Sequence, residues 1–389
     1  MNEPAPLSDT KVIRQHLIDP EFCIRCNTCE ESCPQGAILH DAKNYVVKAD
    51  VCDSCGECIS NCPTGAVDSW RFVGDNQRYS VEEQFAWTAL PAETRRAEDS
   101  GAGDAPAATG MPEVSIYSSR APAIGKVVRN VRVTAPGVTS NIHHIVIDFG
   151  RYRYPAVEGQ SVGVLPPGTD AGGKPHTMRA YSIASSRDGE DGVSNTIALT
   201  VKRVMEDGPN GPRPGICSNY LCDLEVDAEV KVVGPLGASL LMPEDPDARI
   251  VMMCTGTGIA PMRAFVERRK RVGVGSKTMS LFYGGRTPGE LPYLGELRAL
   301  PASFIEVNVA FSRVHGQPKA YIQDLLLRRS EDVASALADE ACHFYMCGRK
   351  GMERGVLDAF RDICVERGVD WELTFDRLHS SARLHIETY

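Results

Sequence analysis

The sequence predicts a multidomain α+β protein with three folded parts: a small cysteine-rich domain, an antiparallel β-barrel and an α/β domain with a parallel sheet. Three observations predict this fold class. Eight of the 14 cysteines lie within residues 23–62, short strand-like runs separated by turn residues dominate 116–240, and strands alternate with helices from about 248 onward. The length of 389 residues suits two to three domains, each able to bury its own core.

Changes in composition set the expected boundaries. We expect the cysteine-rich domain over 1–80, a linker over 81–115, the barrel over 116–242 and the α/β domain over 243–389. Residues 92–113, AETRRAEDSGAGDAPAATGMPE, are small, polar and rich in Gly, Pro and Ala, which is typical of a flexible linker.

The overall composition excludes several classes of protein. Hydrophobic residues make up 42% of the chain and charged residues 24%, as in an ordinary soluble globular protein. The net charge of −9 argues against a nucleic-acid-binding surface. No apolar run approaches the roughly 18 residues of a membrane span, and the first residues, MNEPAPLSDTKVIRQHL, lack the pattern of a signal peptide. We therefore expect a cytoplasmic protein without a nucleic-acid or membrane partner.

The cysteine-rich part contains two copies of the pattern C-x2-C-x2-C-x3-C-P, CIRCNTCEESCP and CDSCGECISNCP. In this spacing three cysteines of one loop hold one cubane cluster, and the fourth holds the other cluster. The predicted ligands are Cys23, Cys26, Cys29 and Cys62 for cluster 1, and Cys52, Cys55, Cys58 and Cys33 for cluster 2. A four-cysteine zinc site, the alternative, requires neither the additional cysteines nor the two prolines. The pattern therefore predicts the two 4Fe–4S clusters of a bacterial ferredoxin.

The barrel part contains RAYS at Arg179–Ser182 and GICSNYL at Gly215–Leu221. These resemble the two flavin motifs of the plant-type ferredoxin–NADP reductase family, and the resemblance covers 120–389. An arginine suits a pyrophosphate because its guanidinium can donate two hydrogen bonds to phosphate oxygens at once. Backbone N–H groups at the start of a helix also bind phosphate. The resemblance implies that Tyr181 stacks on the flavin and that Ser182 hydrogen-bonds near N5. The residues implied for FAD are Arg179, Tyr181, Ser182, Gly215, Ile216, Cys217, Ser218 and Tyr389.

One departure from this family concerns the adenine end of the flavin cofactor. After VKRV the family commonly has an aromatic residue that stacks on the adenine, whereas this chain has Met205-Glu206. FAD is favoured, and FMN remains the alternative.

The α/β part contains TGTGIAP at Thr255–Pro261, between the strand IVMMC and a helix. Glycines there allow backbone amides to face a pyrophosphate at the helix start. Downstream, AFSRV and KAYIQ offer a hydroxyl, a guanidinium and an ammonium for a 2′-phosphate, whereas an NADH site more often has an acidic residue. The pattern matches the NADP-selective branch of the family. The residues predicted for NADPH are Thr255, Gly256, Thr257, Gly258, Pro261, Ser312, Arg313, Lys319, Tyr321 and Gln323.

Two segments near the end complete the resemblance, YMCGRKGM and the terminal HIETY. The resemblance implies that Cys347 lies near the reacting carbon of the nicotinamide, although a cysteine at a strand end is more often a small buried hydrophobe. It also implies that Tyr389 stacks on the flavin until the nicotinamide displaces it, and that Glu387 is linked to Ser182. The implied catalytic set is Ser182, Cys347, Glu387 and Tyr389.

These cofactors together predict an NADPH-dependent oxidoreductase. NADPH gives two electrons as hydride, a 4Fe–4S cluster accepts one, and a flavin can do both. A two-cluster ferredoxin ahead of a plant-type reductase resembles the reductase components of benzoyl-CoA 2,3-epoxidases, which implies a di-iron oxygenase as acceptor and aerobic benzoate degradation. The oligomeric state stays open, a homodimer included. The alternatives are a general ferredoxin–NADP reductase fused to its own ferredoxin and a non-catalytic redox sensor.

Overall fold

The computed structural model confirms the predicted fold class, a multidomain α+β chain with an antiparallel and a parallel sheet. It divides into two compact units, Met1–Met111 and Pro112–Tyr389. No helix in the described segments is long and apolar enough to cross a bilayer. The structure describes residues 12–60, 62–67, 69–74, 78–91, 112–170, 172–173, 175–207, 211–273 and 279–388.

The first unit consists of short elements around the cysteine motifs. Its elements are β1 (Val12–Leu17), α1 (Thr28–Glu31), β2 (Ile38–His40), β3 (Tyr45–Val47), α2 (Glu57–Ser60), β4 (Ser69–Gly74) and α3 (Val81–Ala86). Strand β1 pairs antiparallel with β4, and β2 pairs antiparallel with β3. Helices α1 and α2 each contain the third cysteine of one motif, and their cysteines pack against Ile18, Ile38 and Val47 in one small core.

The internal repeat is also present in the backbone. Equivalent positions of the two motifs have a left-handed conformation: Arg25 and Ser54, Asn27 and Gly56, and Gly36 and Gly65. A positive φ is uncommon for residues other than glycine, and here it occurs twice in the first motif and once in the second. The two motifs therefore share these backbone conformations at equivalent positions.

Helix α3 belongs to the first unit although it begins the stretch expected as a linker. Ser80 and Glu83 form a capping box at its start. The buried Gln84 then accepts a hydrogen bond from Val47 N at 3.0 Å and donates one to Val47 O at 3.0 Å. These bonds attach α3 to β3. Residues 92–111 of the expected linker lie outside the described residues.

The second unit begins with an antiparallel barrel. Its elements are β5 (Ala123–Arg132), β6 (Ile142–Asp148), β7 (Ser161–Leu165), β8 (Arg179–Ser182), β9 (Thr196–Lys202), β10 (Met205–Glu206), β11 (Arg213–Pro214), α4 (Ile216–Asp223) and β12 (Glu229–Leu236). Six strands form one sheet in the order β8-β7-β12-β5-β6-β9, and β10 and β11 form a separate hairpin. A bridge between Ile183 and Leu199 joins the two ends of the sheet. Alternating apolar residues fill the interior, as a closed antiparallel sheet requires.

The second unit continues with a parallel sheet. Its elements are β13 (Arg249–Thr255), α5 (Ile259–Val272), β14 (Met279–Gly285), α6 (Leu294–Arg298), β15 (Ile305–Phe311), α7 (Ile322–Arg328), α8 (Ser330–Ala338), β16 (Cys342–Gly348), α9 (Lys350–Glu366), α10 (Trp371–Ser380) and β17 (Leu384–Thr388). All five strands are parallel, in the order β15-β14-β13-β16-β17. From β13 the chain adds strands first on one side, β14 and β15, and then on the other, β16 and β17, so the switch point lies between β13 and β16. Ligands of such sheets bind beyond the carboxyl ends of the strands at this switch point.

In the last long helix, apolar residues recur at three- and four-residue spacing and a glycine follows, which predicts one buried stripe and a glycine-terminated end. Met352, Val356, Phe360 and Ile363 of α9 pack on one face of the parallel sheet. Gly368 has φ +67° just beyond the helix, and Val369 N donates to Cys364 O at 2.8 Å. This is the glycine-terminated helix end that the sequence predicts.

Candidate functional site

The eight motif cysteines line two separate cavities in the first unit. Cys23, Cys26, Cys29 and Cys62 line one cavity. Cys33, Cys52, Cys55 and Cys58 line the other. Each cavity therefore receives three cysteines from one motif and the last cysteine of the other, which is the exchanged ligand set that the spacing predicts. Four thiols around one cavity fit a cubane cluster.

Hydrogen-bonding groups surround these sulfurs. Ala37 N donates to Cys33 Sγ at 3.3 Å, Thr64 Oγ1 lies 3.7 Å from Cys62 Sγ, and His16 Nδ1 lies 3.6 Å from Cys52 Sγ. Such groups around cluster sulfurs influence the reduction potential.

Burial raises the pKa of Cys23 to about 11 and that of Cys58 to about 12. These two thiols therefore keep their protons at neutral pH in the absence of metal, and metal binding must displace those protons. Among the described residues, no three His, Cys, Asp or Glu side chains converge as they would on a single metal ion.

Three predicted catalytic residues meet at the switch point of the parallel sheet. Ser182 ends barrel strand β8, and its Oγ donates to Glu387 Oε1 at 3.3 Å. Glu387 belongs to β17, where it lies in register with Cys347 of β16. The structure thus brings Ser182, Cys347 and Glu387 together from three elements. The fourth member, Tyr389, lies outside the described residues.

The acid–base properties of this group follow from its burial. Burial raises the pKa of Glu387 to about 7, although the hydrogen bond from Ser182 opposes the shift. The Cys347 side chain is buried, and its burial, followed by the nearby charge of Glu387, raises the thiol pKa. Cys347 is therefore a neutral thiol at neutral pH, and Glu387 can gain or lose a proton there.

The predicted glycine loop lies directly on Cys347. Thr255 ends β13, and Gly256 follows with φ +59°, while Tyr283 Oη donates to the Gly256 carbonyl at 3.2 Å. A Cβ built on Gly258 would lie 2.1 Å from the Cys347 carbonyl oxygen. Only glycine allows this approach of the loop to β16. The loop then enters α5, whose first turn includes the buried Pro261, and Thr257 between the glycines is half-buried.

Three of the residues predicted for the 2′-phosphate, Ser312, Arg313 and Lys319, lie on one closed loop after β15. Ala320 N donates to Phe311 O at 2.9 Å, which closes the loop. Ser312 lies at its beginning, and its N–H donates to Gly285 O at 3.0 Å. Arg313, Lys319 and Tyr321 are exposed on it or just beyond it. Gln323 is set apart, because its amide packs beside Gly355 of α9.

The predicted flavin residues line the edge of the barrel. Arg179 is exposed, and its Nη1 donates to Thr177 Oγ1 at 2.7 Å and to Met178 O at 2.9 Å. Tyr181 packs against the barrel core, where burial and the neighbouring Cys217 raise its pKa.

Gly215 precedes α4, whose first residues place backbone N–H groups at a helix start. Ser218 Oγ accepts from Val204 N at 3.2 Å and donates to Gly215 O at 3.3 Å, so this hydroxyl fixes the loop.

An exposed apolar patch lies beside this helix start. Met205 is 55% exposed and Ile216 is 54% exposed, with the half-exposed Val204 next to them. Met205 stands after VKRV, where the family commonly has an aromatic residue. The patch offers an apolar face where the adenine of the flavin cofactor is expected.

Sequence reasoning missed a group of cations around the switch point. Burial lowers the pKa of Lys202 at the end of β9, and the positive charges of Arg349 and Arg286 lower it further. Arg286 follows β14 and Arg349 follows β16. The three lie far apart in sequence, and only strand order brings them together. A group of cations that disfavours the charge of Lys202 suits a site for anionic phosphate groups.

The fold and the site together define a class of protein. A parallel sheet with a glycine loop at its switch point stands beside a barrel strand that supplies Ser182, which is the arrangement of an oxidoreductase that uses a nicotinamide nucleotide. Residues 252–358 match the family described as the oxidoreductase NAD-binding domain. Residues 22–66 match the 4Fe-4S dicluster domain.

Relatives identify the family. The ferredoxin–NADP reductase of Spirulina is 38% identical over 297 residues, which cover 73% of this chain and all of that protein. The ferredoxin–NADP reductase of the Cyanophora paradoxa cyanelle is 38% identical, with 71% of this chain and 79% of that protein covered. A ferredoxin–NADP+ reductase structure from Plasmodium falciparum, with 2′P-AMP, has a TM-score of 0.55 at 20% identity, covering 71% of this chain and 99% of the other. The chain belongs to the ferredoxin–NADP reductase family, is an NADP-dependent oxidoreductase and carries an additional N-terminal 4Fe–4S dicluster ferredoxin domain.

Proposed function

We propose that the protein passes electrons from NADPH through FAD and two 4Fe–4S clusters to an external acceptor. The observation that carries this proposal is the meeting of Ser182, Cys347 and Glu387 at the switch point of a chain that also holds two four-cysteine cavities. Bound FAD would supply the conversion between two-electron and one-electron transfer. The chain's own residues orient the nicotinamide and provide a protonatable carboxyl group beside the reaction.

The cations after β15 support NADPH over NADH. Arg313 and Lys319 are exposed on the closed loop, and Ser312 adds a hydroxyl. A guanidinium, an ammonium and a hydroxyl suit a phosphate dianion, and the related Plasmodium structure has 2′P-AMP bound. We propose Ser312, Arg313, Lys319, Tyr321 and Gln323 for this end of the nucleotide.

The test compares NADPH and NADH oxidation with ferricyanide as acceptor. We expect Arg313→Ala to weaken NADPH use by about 10- to 100-fold, the effect of one charged hydrogen bond, and to leave NADH use unchanged. Equal losses for both nucleotides would contradict the assignment of the phosphate.

The site for FAD is supported by its donors. The exposed Arg179 and the start of α4 offer positive charge and N–H groups to a pyrophosphate. Tyr181 and Ser182 would face the flavin ring, and Met205 and Ile216 would cover the adenine. We also propose that Tyr389 stacks on the flavin until the nicotinamide replaces it. Release of the cofactor by acid, followed by chromatography, distinguishes FAD from FMN.

Two clusters are supported by the division of the eight cysteines between two cavities. Two cubane clusters predict about eight irons and about eight sulfides per chain. We expect Cys33→Ala to impair the cluster of Cys52, Cys55 and Cys58 while the other cluster survives. Analysis of iron and acid-labile sulfide, with electron paramagnetic resonance of the reduced variant, tests this. Loss of the signal assigned to Cys23, Cys26 and Cys29 instead would refute the exchanged ligand set.

For the acceptor we propose a di-iron oxygenase that epoxidises benzoyl-CoA, in a cytoplasmic pathway of aerobic benzoate degradation. This rests on the order of the parts, a two-cluster ferredoxin ahead of the reductase. Acidic residues outnumber basic ones by seven to three over 20–67, which suits a basic docking face on such a partner. The experiment measures NADPH consumption with and without the oxygenase and benzoyl-CoA. Stimulation only when both are present is expected.

Two alternatives give different outcomes. A ferredoxin–NADP reductase fused to its own ferredoxin is favoured by the names of the relatives, and it would reduce general electron-transfer proteins without stimulation by the oxygenase. A non-catalytic redox sensor would show negligible NADPH turnover with ferricyanide.

A further inference from the structure

We propose that Arg263 is a positioning residue that fixes the distance between the nicotinamide-binding glycine loop and the flavin strand β8. The inference rests on the proposed function, because it concerns the geometry of hydride transfer from NADPH to FAD. Arg263 lies on α5, just over one helical turn after Gly258, and only 7% of it is exposed. None of the sequence motifs identifies it.

The Arg263 guanidinium joins the helix to the barrel through two acceptors. Nη1 donates to the Ala184 carbonyl at 2.8 Å and to Glu190 Oε2 at 2.9 Å. Nη2 donates to Glu190 Oε1 at 2.7 Å. Ala184 is two residues beyond Ser182 on the same stretch of chain, so one side chain links the flavin motif to the helix of the glycine loop.

Small residues beside Arg263 set the distance between α5 and the barrel. Ala260, in the first turn of α5, packs with Ala184, Ala198 and Val146 of the barrel. Ala184 N also donates to Ala198 O at 2.7 Å, so the stretch after β8 is itself held against β9. Alanine side chains let the helix approach the barrel closely, and Arg263 then fastens it one turn later.

The acceptor Glu190 is fixed by a buried network. His144 Nε2 lies 3.3 Å from Glu190 Oε1, and His144 Nδ1 lies 3.0 Å from Tyr293 Oη. Thr200 Oγ1 lies 2.8 Å from the same hydroxyl, and the Arg263 guanidinium stands 5.0 Å above the Tyr293 ring. Because these contacts hold the Glu190 carboxylate in place, a displacement of α5 would break its bonds with Arg263. Glu190 therefore fixes the position of Arg263 relative to the barrel.

The reaction makes this distance important. Hydride transfer needs the reacting atoms at about 3–3.5 Å, and a misplacement of about 1 Å can cost about 100-fold in rate. The planar guanidinium bonds a carboxylate with two nitrogens and still reaches a carbonyl, whereas a lysine ammonium is a point charge on a flexible stem. The Arg263 guanidinium donates to Ala184 and Glu190, and it acts through the position of α5.

The test measures flavin reduction by NADPH in anaerobic stopped-flow experiments. We expect Arg263→Gln to lower the limiting rate by about 10- to 100-fold, with unchanged KM for NADPH, unchanged FAD content and an unchanged visible spectrum. Arg263→Lys is expected to recover part of the rate. Should Arg263→Gln fail to fold, Glu190→Gln removes one oxygen acceptor and the charge while keeping the shape, and is expected to lower the same rate.

Arg268→Gln is the matched control. Arg268 lies on the same helix and pairs with Asp188 at 2.7 Å, near the same acidic turn but in a more exposed position. We expect the control to retain the rate of the natural protein. A normal rate in folded Arg263→Gln, an equal loss in Arg268→Gln, or a loss that only follows FAD content would overturn the inference. Absence of NADPH-dependent flavin reduction in the unmodified protein would instead refute the proposed function.

Discussion

At the scale of single residues, the proposed catalytic group depends on pairs that are far apart in sequence. Ser182 and Glu387 are hydrogen-bonded across more than half of the chain, and Cys347 reaches them through the register of β16 with β17. Motif resemblance names these residues, but only the order of strands brings them together. The cysteine ligands differ, because their short spacing already determines which of them share a loop.

The pKa of Glu387 predicts a dependence of stability on pH. Burial raises this pKa from 4.5 to about 7, so the folded protein holds the proton more tightly than the unfolded chain. The corresponding stability is fully present below pH 4.5 and is lost as the pH rises through about 7. We expect Glu387→Gln to remove this part of the pH dependence, measured by urea denaturation between about pH 4 and about pH 8, a range that includes both pKa values.

Ser182→Ala provides the companion variant. Its hydroxyl lowers the pKa of Glu387, so its removal should raise that pKa further and extend the loss of stability to higher pH. Identical pH curves for the natural protein and Glu387→Gln would refute the linkage.

The approach of the glycine loop to β16 gives a second residue-level prediction. In Gly258→Ala, the new Cβ would lie 2.1 Å from the Cys347 carbonyl oxygen, and backbone must move. Overpacking of this kind costs about 1–3 kcal/mol of unfolding free energy, and a shift of about 1 Å should lower kcat/KM for NADPH by about 100-fold. Gly351→Ala is the control, because its Cβ would meet open space. Comparable losses in both variants would show that the contact with Cys347 is not the cause.

At the scale of elements, the sequence predicts strands and helices with a periodic apolar pattern better than it predicts peripheral elements such as β17 and α3. The strand-like run IEVNVAF forms strand β15, Ile305–Phe311, and the apolar stripe of α9 is buried as its spacing predicts. The motif HIETY marks the C-terminal segment, but it does not predict the strand β17. All five of its residues are only half-buried, and it is a strand because β16 offers it an edge. The sequence likewise places α3 in the expected linker. Its attachment to the first unit depends on the distant Val47, which a local pattern does not reveal.

Attachment of α3 gives an element-level prediction. Asn44 Nδ2 donates to the carbonyls of Gln84, Phe85 and Trp87 at 3.3, 3.1 and 2.8 Å. Asn44→Ala leaves these carbonyls at the helix end without that donor, which should cost about 1–3 kcal/mol. Urea denaturation followed by the cluster absorbance at visible wavelengths measures the loss. The exposed neighbour Lys43 provides the control, since Lys43→Ala should stay within about 0.5 kcal/mol. Equal effects would mean that α3 does not support the cluster-binding unit.

At the scale of the whole molecule, the two units differ in what they contain. The second unit, from Pro112 on, holds the barrel, the glycine loop and the group around Glu387. The Spirulina relative is matched over its full length by 73% of this chain, about the share that this unit makes up. The first unit holds the cysteine cavities. Its cysteine motifs are local in sequence and therefore predict its ligand residues, whereas the cations around Lys202 and the link through Arg263 needed the three-dimensional structure.

This division predicts that the second unit works without the first. Residues 112–389 alone should fold, bind FAD and reduce ferricyanide with NADPH at the rate of the full chain, because the Ser182–Glu387 contact and the buried core of both sheets lie within them. The fragment should contain no iron and should fail to support the proposed oxygenase. Cys33→Ala in the full chain is the matched control, since it alters a cluster ligand and leaves the second unit unchanged. If the fragment supported the oxygenase as well as the full chain does, electrons would not need to pass through the clusters. The first unit would then have a role other than electron transfer to that acceptor.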